Sequence, residues 1–255
     1  FGNFGGEMSM PFHIPFIEGY DAVYQRRYGE FISSVSTGKI GIPERSVVRF
    51  PKIGSFSEQT LQLLGVKYYI QKKSDGRSVW AYPFWQYSQY SLVYSDEHFD
   101  VYRNDNVLPR AFLASSYTIA KDDKEILNVL HDPVFNAQHA VILEEKPVME
   151  PLTGEGSVII DRYTPNEIIL KTSALVPKLL FLSDVYDKGW KATIDGAATR
   201  IYRADYDFRS VPVPAGEHVI RMYYWPESFI RGVWLAGFGV CCLAGLLLRY
   251  ENMIL

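Results

Sequence analysis

Cysteine is nearly absent from this sequence. The two cysteines, Cys241 and Cys242, are neighbours inside an apolar run near the C-terminal end. Adjacent cysteines in such a run provide neither the ligand spacing of a zinc site nor a framework of structural disulfides. The rest of the chain contains no cysteine, so cysteine content gives no indication of its redox compartment.

Long basic runs and the common nucleotide-binding motifs are also missing. The 26 Lys and Arg residues are outweighed by 29 Asp and Glu residues, for a net charge of −3, which argues against nucleic acid as a partner. There is no P-loop, dinucleotide fingerprint, zinc spacing or nucleophile triad. The chain begins at Phe1, without an initiator methionine or a signal-peptide pattern. Together with the apolar C-terminal run, this start predicts a piece of a longer protein.

The apolar run is the strongest feature that is present. From Gly232 to Leu248 no side chain is charged, and Arg231 and Arg249 stand at its two ends. A helix needs about 20 apolar residues to cross the hydrocarbon core. We therefore predict a transmembrane helix over 228–249 and a cytoplasmic stub over 250–255. A buried helix in a soluble core is the disfavoured alternative, because the run has no polar face.

The remainder of the chain divides into two regions. Residues 147–156 are rich in Pro, Gly and Glu and predict a linker. Helix and strand patterns are mixed over 1–146. Short strands alternate with turns over 157–227, which is typical of an antiparallel β-sandwich of about seven strands. The predicted strands are 157–163, 167–173, 178–184, 191–194, 199–202, 208–212 and 218–225. We predict an α+β fold: a mixed α/β subdomain, the linker, the sandwich and one C-terminal transmembrane helix.

Local patterns predict three helices in the first region. Apolar residues recur at helical spacing over 20–35. Ser55 with Glu58 forms a capping-box pattern, and Asp122 with Glu125 forms a second one. These patterns predict helix starts close to Ser55 and Asp122.

Short motifs in both regions resemble the YfhO family of bacterial multipass membrane proteins. In order, they are Gly19-Tyr20-Asp21 with Arg27-Tyr28, Leu64-Gly65-Val66-Lys67-Tyr68, Leu108-Pro109-Arg110-Ala111, Leu182-Ser183-Asp184, Gly189-Trp190-Lys191-Ala192, Asp195-Gly196, Arg203-Ala204-Asp205 and Val213-Pro214-Ala215-Gly216-Glu217-His218. Each motif is short, and their order and spacing carry the specificity. The similarity covers roughly Gly2 to Leu248.

The resemblance implies a parent protein built like the GT-C class of glycosyltransferases. Such enzymes use a polyprenyl-phosphate-linked sugar and act at the outer membrane face, here on a cell-envelope polymer such as lipoteichoic acid or on a lipid. The implied location is the cell membrane, with several spans and residues 1–227 extracytoplasmic. The implied partners are the bilayer, the other membrane helices of the parent, the sugar donor and the envelope acceptor.

The resemblance also implies where the catalytic residue lies. In the GT-C class the catalytic carboxylate belongs to an early extracytoplasmic loop, which no part of this chain matches. We expect it upstream, so the chain alone is expected to be inactive and to serve as an accessory domain. No cofactor follows; a divalent metal in the parent stays open, and none is indicated within these residues. The alternative is a non-catalytic carbohydrate- or envelope-binding domain of a structural membrane protein.

Four candidate substrate-binding residues lie near the start of the chain. Basic side chains next to a membrane can hold phosphate through charge-assisted hydrogen bonds, and carboxylates can orient sugar hydroxyls. The candidates are Glu18, Tyr20, Asp21 and Arg27. The alternative is an ordinary helix N-terminus with an acid in its first turn and a solvated basic face. For the nearby His13 a structural role is favoured.

Two further candidates lie in the second region. Trp190 could stack on a sugar ring while Asp184 or Asp187 holds hydroxyls. The alternative is that Trp190 is a core residue that fixes a loop and that Asp195 only forms a turn. Asp205 and Asp207 extend the set of aspartates that could bind Ca²⁺, but their spacing matches no known calcium loop, so no metal site is predicted.

Overall fold

A computed structural model describes residues 14–20, 24–43, 45, 47–51, 54–73 and 88–254. The helices are α1 (Arg26–Ser34), α2 (Ser57–Leu63), α3 (Asp123–Leu130) and α4 (Glu227–Ile254). The strands are β1 (Gly19–Tyr20), β2 (Val47–Val48), β3 (Tyr68–Lys72), β4 (Tyr90–Ser95), β5 (Phe99–Asn104), β6 (Ala111–Ala114), β7 (Ser116–Ile119), β8 (Ala140–Leu143), β9 (Gly156–Thr164), β10 (Glu167–Ala174), β11 (Lys178–Val185), β12 (Trp190–Ile194), β13 (Ala197–Thr199), β14 (Tyr202–Ala204), β15 (Phe208–Val213) and β16 (Gly216–Tyr224).

Two large sheets form a sandwich, which confirms the predicted α+β fold. One sheet has the strand order β13-β12-β16-β10-β9, and the other β6-β11-β15-β14-β8-β7. Every pairing in them is antiparallel except that of β7 with β8. The second sheet takes β6, β7 and β8 from before residue 147 and its other three strands from after residue 156. The segment 147–155 leads from β8 of the six-stranded sheet to β9 of the five-stranded sheet.

The six-stranded sheet is covered on both faces. Side chains alternate across a strand, so in β11 Leu180 and Leu182 face the core between the two sheets. Leu179 and Phe181 face the second core, which the sheet shares with α1, α2 and α3. A strand covered on both faces reads as a continuous apolar run, as β11 does. Burying each such side chain contributes about 1.5–3 kcal/mol.

The three short helices differ in how they begin. At α3 the predicted cap is confirmed, since the Asp122 side chain accepts a hydrogen bond from the Glu125 amide at 2.8 Å. Helix α2 begins at Ser57 without a side-chain cap. The Glu58 carboxylate instead accepts hydrogen bonds from Gln89 and, at 3.1 Å, from the Tyr90 hydroxyl. Tertiary contacts of Glu58 have therefore replaced the predicted capping box. Helix α1 begins at Arg26, within the predicted helical range 20–35.

Helix α4 projects from the sandwich with its apolar surface uncovered. Its segment Glu227–Gly245 spans 19 residues, has a mean hydropathy of 1.5 and is not buried against the rest of the described chain. Trp234 is 76% exposed and Leu235 71%. A core helix of a soluble protein would be covered by protein, so this surface fits the hydrocarbon of a bilayer. Length and composition both meet the requirement for a membrane span.

His131, just after α3, gives a stability prediction. Its ring stacks on Phe56 at 4.1 Å between centroids and is 7% exposed, and burial lowers its pKa to about 4. An unfolded chain would bind a proton near pH 6.5, so folding stability should fall as pH drops from about 6.5 to 4. His131→Phe should reduce this acid-induced loss of folding stability by up to about 3 kcal/mol. Chemical unfolding of both proteins between pH 4 and 6.5 measures this difference. If the free energy of unfolding depends on pH equally in both, His131 does not have a lowered pKa.

Candidate functional site

A cleft of about 520 Å³ lies between the N-terminal segment and one end of the sandwich. We call it the proximal cleft. Its walls are residues 14–19, the stretch 64–68 that joins α2 to β3, and the end of β11 at 183–185. Most of the lining is apolar. Its charged members are Glu18, Lys67, Arg110 and Asp184.

The proximal cleft lies at the same end of the sandwich as α4. Strand β11 ends at Val185, and the loop that follows reaches Gly189. The carbonyl of Gly189 accepts a hydrogen bond at 2.8 Å from the amide of Trp225, two residues before α4. The indole of Trp190 also packs against Tyr224, at 5.6 Å between ring centroids. If α4 spans a bilayer, the cleft is therefore near the membrane surface.

Asp184 is the most heavily bonded charged residue in the cleft. Its Oδ1 accepts hydrogen bonds from Arg110 Nη2 at 2.9 Å and from the Tyr163 hydroxyl at 3.0 Å. On its other side, Arg209 Nη2 lies 3.6 Å from Oδ2. The side chains of Asp184 and Arg209 are only 7% and 5% exposed. Burial and the Asp184 charge raise the pKa of Tyr163 to about 12.

Trp190 is held from one side by a cation. The Arg209 guanidinium lies 3.9 Å from the centroid of the indole ring and donates from Nε to the Val185 carbonyl at 3.0 Å. This arrangement fixes the loop between β11 and β12. It matches the alternative in which Trp190 is a packed residue, because Arg209 already occupies a position over the ring where a sugar would stack. Asp195 has a φ of 51°, as its turn requires.

Glu18 also lines the cleft. Its Oε1 accepts a hydrogen bond at 2.8 Å from the Phe50 amide. Burial raises the pKa of this carboxyl above its ordinary value, although the hydrogen bond from Phe50 acts in the opposite direction. Beside it, the Tyr28 hydroxyl donates to the Ile17 carbonyl at 2.8 Å. Burial and the Glu18 charge both raise the pKa of Tyr28.

Arg27 lies in a separate ionic cluster and not in the proximal cleft. Its Nη2 is 2.9 Å from Asp123 Oδ1 and 2.7 Å from Glu144 Oε1, and its guanidinium lies 4.8 Å from the Tyr206 ring centroid. The cluster connects α1 with the start of α3 and the end of β8. The carboxylates of Asp123 and Glu144 already neutralise the Arg27 charge that was predicted to hold a phosphate.

The other predicted residues are scattered. Tyr20 belongs to β1 and pairs with Val47, but its side chain, Asp21 and His13 lie outside the described residues. Asp187 accepts from the Gly189 amide at 2.7 Å. Asp205 accepts from the Ile142 amide at 2.7 Å. Among the residues that the structure describes, no group of three or more His, Cys, Asp or Glu is arranged to hold a metal ion.

Lys67, Arg110, Tyr163 and Arg209 were not predicted as site residues. One signal was available for Arg209, because it interrupts the otherwise uncharged strand β15, in which every residue is buried. A charged residue in such a strand needs a buried partner, here Asp184. Arg110 offered no comparable signal, since its partner is 74 residues away in sequence.

The fold and the cleft define a class of protein: an α+β domain with a β-sandwich that carries a helix long and apolar enough to span a membrane. Residues 154–236 match the family described as "Bacterial membrane protein YfhO". This segment, about a third of the chain, holds strands β9 to β16 and the first ten residues of α4, and it is similar to that family. No curated protein and no solved structure matches the chain.

Proposed function

We propose that the chain is the extracytoplasmic accessory part of a multipass membrane glycosyltransferase. The enzyme would be of the GT-C type, would use a polyprenyl-phosphate-linked sugar and would act on a cell-envelope polymer or lipid. The YfhO match over 154–236 and the exposed apolar helix α4 support a membrane protein of this family. The proposed role in sugar transfer rests on the proximal cleft at the α4 end of the sandwich.

The cleft has the chemistry that a lipid-linked phosphate requires. Its walls are mainly apolar and suit a hydrocarbon chain. Lys67 and Arg110 supply two cations in the lining, and Arg209 lies behind Asp184. Because the two arginines share the Asp184 carboxylate, the cations outnumber the carboxylates even when Glu18 is ionised. A phosphate bound here would receive charge-assisted hydrogen bonds.

The six residues predicted to bind substrate are given different roles in this proposal. Glu18 and Asp184 line the cleft and are retained, Glu18 to orient a hydroxyl and Asp184 to position Arg110. Arg27 and Trp190 are engaged elsewhere and are assigned supporting roles. Tyr20 and Asp21 stay candidates through their sequence proximity to Glu18. We propose that residues 1–227 face the outside and that the catalytic carboxylate belongs to an upstream loop.

Lys67 provides the sharpest test of the cleft. Its side chain is exposed and it lines the cavity, so its removal should not disturb the core. In the full-length protein, Lys67→Ala should lower the kcat/KM of sugar transfer by about tenfold to a hundredfold, the value of a hydrogen bond to a charged group. The measurement is transfer of a labelled sugar from a polyprenyl-phosphate donor in membranes.

Lys121→Ala is the matched control, because Lys121 is also exposed and lies outside the cleft lining. It should transfer sugar at the wild-type rate. Equal rates for Lys67→Ala and wild type, with equal amounts of folded protein, would remove the cleft from the proposal. Binding of an envelope glycan without any transfer would favour a non-catalytic binding domain.

A further inference from the structure

The outer face of the five-stranded sheet carries a pair of arginines that share one carboxylate. Arg162 Nη1 lies 3.1 Å from Glu167 Oε2, and Arg221 Nε lies 2.8 Å from Glu167 Oε1. Both arginine side chains are more than half exposed, whereas the Glu167 side chain is 21% exposed. One positive charge at this point is therefore not compensated by Glu167.

The strand register arranges these residues in two rows on the outer face. Arg162 pairs with Ile169 and Ile169 with Arg221, which forms one row. Glu167 pairs with Tyr223 and Tyr223 with Lys191, which forms the other. Residues between the rows, such as Met222, point into the core, so both rows face outward.

The row that contains Tyr223 and Lys191 is the nearer of the two to α4. Tyr223 is four residues before Glu227, the first residue of the helix, and the arginine row is about 7 Å further along the strands. Lys191 Nζ lies 3.8 Å from Glu227 Oε1. Lys188 is exposed in the loop whose Gly189 bonds to Trp225.

The charge on this surface has a small positive excess, because five cations, Arg231 included, lie near three carboxylates. The acidic groups near it are Glu167, Asp187 and Glu227, and each has a partner: the two arginines, the Gly189 amide, and Lys191 with Arg231. Further along β10, Lys171 is paired with Asp161 at 2.7 Å. We infer that the basic face formed by Arg162, Lys188, Lys191 and Arg221 binds the anionic phospholipid headgroups of the leaflet that α4 enters.

Three physical arguments favour lipid headgroups as the occupant. The helix fixes this end of the domain at the membrane surface, so binding needs no further loss of translational freedom. The headgroup layer extends about 5–8 Å beyond the hydrocarbon. Lys191, beside Glu227, lies nearest to it, and the arginine row reaches it when the sandwich tilts toward the bilayer. Basic residues near an anionic surface are attracted within about one Debye length, roughly 8 Å at physiological salt. The face would tilt the sandwich toward the bilayer and thereby set the direction in which the proximal cleft opens.

The test measures contact between the basic face and lipid headgroups. The chain is reconstituted through α4 into nanodiscs, with Cys241 and Cys242 replaced by alanine and a bimane label on Thr193→Cys, which lies opposite Arg221. A lipid with a nitroxide on its headgroup quenches the label at short range. Quenching is compared between phosphatidylcholine discs and discs rich in phosphatidylglycerol, at low and high salt.

We expect stronger quenching in the anionic discs and loss of the difference at high salt. Arg221→Gln should weaken the contact equilibrium roughly fivefold, and Arg162→Gln with Arg221→Gln should weaken it further. Lys171→Gln, on the same outer face but further from α4, should change it much less. Equal quenching in both lipids, or equal effects of Arg221→Gln and Lys171→Gln, would overturn the inference. Abolition by inorganic phosphate at constant ionic strength would overturn the assignment to lipid.

Discussion

Replacing Asp184 by alanine is expected to lower the free energy of unfolding by about 3–5 kcal/mol. The change removes the shared partner of Arg110 and Arg209 and a hydrogen-bond acceptor of Tyr163. Arg209 is almost fully buried, so its charge would lose compensation in a place that water does not reach. The loss can be measured by urea unfolding of the chain in mild detergent, followed by tryptophan fluorescence.

Two further variants make this prediction specific. Asp161→Ala removes an exposed carboxylate that is paired with Lys171, and it should cost less than about 1 kcal/mol. In the Asp184→Ala background, Arg209→Met should recover part of the loss, because an apolar side chain needs no counter-charge. If Asp184→Ala and Asp161→Ala cost the same, the buried network does not stabilise the sandwich.

Replacing Asp205 by asparagine is expected to increase stability above pH 7. Asp205 is fully buried in the turn between β14 and β15, and burial raises its pKa to about 7, while the hydrogen bond from the Ile142 amide opposes the shift. The folded state therefore keeps a proton that the unfolded chain releases near pH 4. Stability should fall as pH rises from about 4 to 7 and then level off. Asparagine removes this cost and can still accept from Ile142.

The expected gain from Asp205→Asn at pH 7.5 is up to about 4 kcal/mol, with no gain near pH 4. Asp207 contributes in the same direction, since burial raises its pKa to about 7 against the opposing charges of Arg203 and Arg27. His131 contributes in the opposite direction over an overlapping window. The difference between Asp205→Asn and wild type isolates the single carboxyl. Parallel stability curves for the two proteins from pH 4 to 8 would contradict the assignment.

Most strands of the sandwich could be predicted from the sequence. Alternating apolar residues and turn residues such as Asp195 and Gly196 fix strand limits locally, and the structure agrees to within about two residues for most strands. One predicted strand, 199–202, is an exception. The chain leaves the five-stranded sheet after β13 and enters the six-stranded sheet as β14. Such a change of sheet depends on partners far away in sequence and leaves no local pattern.

The residues of the candidate site were harder to predict from the sequence than the fold. The sequence indicated Asp184 and Trp190 but not Arg209, which contacts both. Arg27 was chosen for its charge and its place near the start of the chain. Its contact with Glu144 comes from packing of α1 beside the end of β8. Charge and position along the chain therefore identified residues that form ionic networks, and only the tertiary structure separates the network at α1 from the one that lines the cleft.

Sugar transfer in membranes tests the central claim most directly. Membranes that contain the full-length protein are supplied with a labelled polyprenyl-phosphate sugar, and label in the envelope polymer or lipid is measured beside membranes that contain only this 255-residue chain. The proposal predicts transfer by the full-length protein and none by the chain alone. Transfer by the chain alone would contradict an upstream catalytic carboxylate, and no transfer by the full-length protein would contradict the glycosyltransferase itself.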